Sequence, residues 1–120
     1  MKRKFLAVYI GTDEAFDRKW SSLSAAEQTE RQTKGMAAWG AWAQKHADKI
    51  VDQGGPLGKT KRVGDEGITD IKNPLTGYVI VEANSHEEAA KMFEGHPHYT
   101  VFGGDSIEIV ACLNLDEMKA

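Results

Sequence analysis

The chain's most suggestive chemistry lies in His96-Pro97-His98. Imidazoles at alternate positions can present two nitrogens to one metal, or one nitrogen to a proton in transit. A metal site needs a third donor at fixed spacing, and none follows, so neither metal nor cofactor is expected. For proton transfer, His96 is the expected acid or base, and Asp70, in a polar turn, is the residue expected to orient it. The plainer reading makes the segment an exposed helix exit stiffened by proline, so that His96→Ala leaves stability near native. Trp39, Trp42 and His46 form a second group, a single stripe on a helical wheel. They either line a pocket for a planar or apolar ligand, with His98 nearby, or pack at a helix–sheet or dimer seam. Lys59 opens a basic cluster, Lys59-Thr60-Lys61-Arg62, after a glycine-rich turn. It is a candidate anchor for a carboxylate or phosphate, or else a solvated strand edge. The turn lacks the spacing of a phosphate-binding loop. Cys112, among apolar neighbours, reads as an inert buried thiol.

These residues need elements to position them. Phe5–Ile10 is apolar, aromatic and β-branched, which predicts a first strand. A weak helical pattern follows from Asp13 to Leu23. Ser24-Ala25-Ala26-Glu27 is a capping box opening a helix expected to run to Gln53, where Gly54-Gly55-Pro56 stops it. A helix of that length would span about 45 Å, so a bend or break near Gly35 or Gly40 is expected. Met36, Trp39, Gly40, Ala43, Ala47, Ile50 and Val51 share its apolar face. Pro56–Val63 reads as a second strand, Asp65-Glu66-Gly67 as a turn, and Ile68–Pro74 as extended chain or loop. Gly77–Ala83 is the clearest strand, Ser85–Glu88 caps a second helix that stops at Gly95, and Ile107–Leu113 is the last strand.

That order, strand–helix–strand–strand–helix–strand, predicts an α+β ferredoxin-like βαββαβ fold, an antiparallel sheet with both helices on one face. Both faces of the strands are nevertheless apolar: Phe5, Ala7 and Tyr9 alternate with Leu6, Val8 and Ile10. Two helices cover one face only, so the other implies a second copy, a homodimer joined through its sheets, unless Asp13–Thr33 folds across it. With 120 residues, 41% of them hydrophobic and 28% charged, the chain is one domain, residues 1–120. One cysteine excludes an internal disulfide and suits a reducing cytoplasm. No apolar run approaches the length of a membrane span. The net charge of −3 argues against a phosphate-coating protein.

Gly54-Gly55-Pro56-Leu57-Gly58, the turn Gly67-Ile68-Thr69-Asp70, Gly77-Tyr78-Val79-Ile80-Val81-Glu82, Ser85 with Glu88-Ala89-Ala90, His96-Pro97 and Ile107-Glu108 occur in an order that resembles the YCII-related (DGPF-type) family. The resemblance covers Met36 to Leu113. It implies a ferredoxin-like monomer that pairs into a dimeric α+β barrel. Some members carry a histidine–aspartate pair taken to suggest enzymatic activity, without an agreed substrate. Where the family has a histidine early on its first long helix, this chain has Trp39.

Two functions are expected of such a chain. In the first, a dimeric barrel binds an apolar or aromatic small molecule and carries out cofactor-independent acid/base chemistry. In the second, the fold is an RNA-recognition-type module, with Tyr9 and Tyr78 as a stacking pair exposed on one open sheet face.

Overall fold

The computed structural model describes residues 2–118. The elements in chain order are β1 (Arg3–Ile10), α1 (Asp13–Trp20), α2 (Ala25–Lys45), β2 (Ile50–Pro56), β3 (Thr60–Gly64), β4 (Gly67–Ile71), β5 (Leu75–Ala83), α3 (His86–Lys91), α4 (Pro97–Thr100), β6 (Ser106–Ala111) and α5 (Leu115–Met118). Four strands form an antiparallel sheet in the order β2-β5-β1-β6, while β3 and β4 make a separate hairpin. This is the ferredoxin-like α+β arrangement, with the hairpin inserted between its second and third strands.

The period-two pattern of β1 and β5 sorts their side chains cleanly. Phe5 pairs with Val81 and Ala7 with Val79, and all four are buried beneath the helices with Tyr9, Met92 and Phe93. Leu6 pairs with Ile80 and Val8 with Tyr78 on the opposite face. Among the described residues no helix covers that face: α1 rests instead on α4 and the segment after it, where Trp20 Nε1 donates to the Phe102 carbonyl at 2.7 Å and Lys19 Nζ to that of Tyr99 at 3.2 Å.

The capping box at Ser24 forms in full, its hydroxyl accepting from the Glu27 amide and the Glu27 carboxylate from the Ser24 amide. At Ser85 only half forms: the hydroxyl accepts from the Glu88 amide, but the Glu88 carboxylate turns to Lys49. Helix α2 differs from expectation at its other end. It stops at Lys45, and Ile50–Pro56 is strand β2, because Ile50 gains a place opposite Val81 at the sheet edge. The helix is therefore about 31 Å long and needs no break. Gly35 lies against Phe102 instead: a Cβ there would stand 2.4 Å from that ring. Pro56–Val63 is not one strand, since Leu57–Lys59 separates β2 from β3, and Gly67–Ile71 is the return strand of the hairpin. Cys112 lies one residue past β6 and is exposed, not buried.

Candidate functional site

Helix α2 stands off the sheet, and between them lies an open cavity of about 610 Å³. Met36, Trp39, Gly40 and Ala43 form its helical wall, on the apolar face read from the sequence. Tyr9 and Val79 supply the sheet side, and Phe16, Phe102 and His98 complete it. Trp42 also lines it, held by its Nε1–H, which donates to the Met92 carbonyl at 2.7 Å. The rings interlock: the Tyr9 centroid is 5.0 Å from Trp39 and 5.2 Å from His98, and Phe102 is 5.9 Å from Trp39. Such a wall favours a planar, largely apolar guest with a few polar groups at its edge.

The two histidines of the His-x-His segment have different surroundings. His96 is 0% exposed. It caps α4, its Nδ1 accepting the His98 amide at 3.0 Å, so in the neutral ring the proton is on Nε2. That Nε2 has no hydrogen-bond partner. Instead the ring meets Trp39 and Trp42 edge-on, at 4.5 and 4.7 Å between centroids, with Tyr9 and Phe93 beyond. Burial, then the proximity of His98 and His46, pushes its pKa down to about 3. The exposed helix exit expected of His96 is thus replaced by a buried ring behind the tryptophans, because the register of β1 brings Tyr9 beneath it. His98 does reach the cavity. Its Nε2 donates to the Ile10 carbonyl at 2.8 Å. Burial lowers its pKa, opposed by the carbonyls of Ile10 and Ser106 and the carboxylate of Asp105.

The chain does not bring Asp70 to His96. Asp70 is on β4, where its Oδ1 accepts from Lys61 Nζ at 2.7 Å, and it bonds to neither nitrogen of His96: Nδ1 accepts from the His98 amide and Nε2 has no partner. Asp70 and Lys59 instead line a second, open cavity of about 1060 Å³ between the base of the hairpin and the β1–α1 turn. His46 ends α2 with its ring 5.2 Å from Trp42, outside both cavities. Its pKa is lowered by burial and by Lys45 and Lys49, against Asp48. No group of three or more metal-ligating side chains occurs among the described residues.

Phe16, Phe102 and Tyr9 are cavity residues that the sequence reading did not assign to a pocket. Gly35 carries the one signal for Phe102: a glycine inside a helix without a kink implies that something packs close against it. The RNA-type platform does not form. Tyr9 stands opposite Gly77, beneath the helices, whereas Tyr78 stands opposite Val8 on the other face. No helix among the described residues is long and apolar enough to cross a membrane.

No protein-family model matches the chain, and no curated protein matches it. Among solved structures it is similar to 5-chloro-2-hydroxyhydroquinone dehydrochlorinase from Burkholderia phenoliruptrix AC1100, in complex with 2,5-dihydroxybenzoquinone. The TM-score is 0.55 over 95% of this chain and 97% of that one, at 18% identity. The likeness is one of fold, the ferredoxin-like α+β arrangement described for this chain.

Proposed function

We propose that the chain binds a small, planar aromatic or quinonoid molecule in the cavity between α2 and the sheet, as a homodimer of the YCII-related (DGPF-type) kind. The aromatic cavity carries this reading: about 610 Å³, walled by Tyr9, Trp39, Trp42 and Phe102, with His98 as its polar contact. The volume is in the range of small-molecule sites. Its fold neighbour holds a dihydroxybenzoquinone, which makes that compound a suitable probe. His98 rather than His96 is the imidazole available to a ligand, and with a lowered pKa it is neutral at pH 7, the form that accepts a proton.

Two quantities support the dimer. The accessible surface is 8339 Å², against about 6400 Å² for a compact monomer of this mass. The radius of gyration is 16.6 Å, against about 13.6 Å for a compact chain of this length. Pairing of the outer faces, through Leu6, Val8, Ile10, Tyr78 and Ile80, would remove apolar surface that no helix covers.

Calorimetric titration with 2,5-dihydroxybenzoquinone tests the site. Saturable binding at one site per chain, weakened at least tenfold in Trp39→Ala, is expected. Absence of binding to a folded protein overturns the reading.

A further inference from the structure

The two cavities share a wall. Phe16 and Thr76 line both, so the aromatic cavity adjoins the lysine-lined one across these two side chains. Three lysines stand around the second cavity, Lys59, Lys61 and Lys72, and two carboxylates, Asp13 and Asp70. The carboxylates are taken: Asp70 pairs with Lys61, and Asp13 with Lys72. Lys59 makes no ion pair among the described residues, which leaves one uncompensated positive charge at the end of an otherwise neutralised group. In a chain of net charge −3, a positive surplus next to an aromatic pocket is a local feature and not the background. The same cavity also has apolar walls at Leu57 and Ile71, which suit the stem of a linker rather than a free inorganic ion.

We infer that the natural ligand is an aromatic acid, whose ring occupies the cavity of Trp39 and Trp42 and whose anionic arm passes Phe16 and Thr76 to end at Lys59. The inference rests on the aromatic-cavity reading and narrows its ligand class. The arm supplies the charge, and the ring supplies most of the buried apolar area. Lysine is a point charge on a flexible stem, so it accepts a carboxylate or a phosphate at a range of arm lengths.

The experiment compares two probes that differ only in the arm, 2-naphthol and 2-naphthoxyacetate, titrated calorimetrically into the full chain at pH 7. The acid is expected to bind about fivefold more tightly than the neutral ring, the scale of one partly solvated ion pair. Lys59→Gln removes that preference and leaves 2-naphthol affinity unchanged, and raised salt has the same effect as the substitution. Circular dichroism checks that the variant is folded, which is expected because Lys59 is an exposed loop residue. Equal affinity for the two probes, or an equal loss of both in Lys59→Gln, overturns the arm and leaves the aromatic cavity standing. Failure of both probes to bind overturns the arm together with the cavity on which it depends.

Discussion

The two faces of the central sheet are made of similar residues but have different environments. Beneath the helices, Phe5, Ala7, Tyr9, Val79 and Val81 are at most 5% exposed, and Tyr9 packs against His96, which is fully buried. On the other side, Leu6, Val8, Ile10, Tyr78 and Ile80 are only half-buried, and Val110 is 48% exposed. Strand composition thus meets two environments, one supplied by the chain itself and the other the one that the proposed dimer would cover. Substitutions should therefore act on folding when they fall on the first face and on assembly when they fall on the second.

The largest effect is expected at Phe5. Phe5→Ala empties the middle of the covered face and should cost about 3–5 kcal/mol in urea unfolding. His96→Ala should follow, at about 2–3 kcal/mol, since it leaves a hole among four rings and strips the His98 amide of its acceptor. Near-native stability of that variant would return His96 to the exposed helix exit first read from the sequence. Ile80→Glu, on the outer face, should leave the monomer folded and abolish the dimer in sedimentation velocity, because a carboxylate cannot be solvated at a dry seam. A monomeric wild type at micromolar concentration, or an unaffected dimer in the variant, would erase the contrast between the faces. Lys61→Ala removes an ion pair whose side chains are 70% and 85% exposed and should change stability by less than about 1 kcal/mol.

Acid sharpens the same comparison. The folded pKa of His96 is about 3 and its ordinary value is 6.5, so between these the unfolded chain binds the extra proton. The stability contributed by keeping His96 neutral is complete above about pH 6.5 and is lost as pH falls toward 3, by up to about 1.4 kcal/mol per pH unit. His98 and His46, also lowered, act in the same direction. Thermal melts between pH 7 and 4 should show a shallower slope in His96→Leu than in wild type. Equal slopes would mean that His96 is solvated.

Much of the fold was legible because local signals agreed with tertiary ones. Phe5–Ile10 and Gly77–Ala83 alternate as strands should, and Ser24 and Ser85 mark two helix starts. The end of α2 was not legible, since Ala47-Asp48-Lys49 continues the helix pattern and only pairing with β5 draws Ile50 into a strand. The hairpin was half-hidden for the opposite reason: standing in water on both faces, β3 and β4 need no apolar alternation. In the candidate site, the helical stripe of Trp39 and Trp42 was readable from spacing alone. The separation of His96 from Asp70 was not, because it depends on which sheet residues lie beneath α4 and where an inserted hairpin projects.

The central claim, that the space between α2 and the sheet holds a ligand, is tested most directly at Gly40. This glycine lines the aromatic cavity, and a Cβ there meets nothing within 4 Å. Gly40→Leu should therefore fill the cavity without a clash and, by improving helix propensity, raise stability by up to about 1 kcal/mol. Calorimetric titration of 2,5-dihydroxybenzoquinone into wild type and Gly40→Leu should give binding to the first and none to the second, with the variant at least as stable. Undiminished binding to Gly40→Leu would contradict the account by placing the ligand elsewhere.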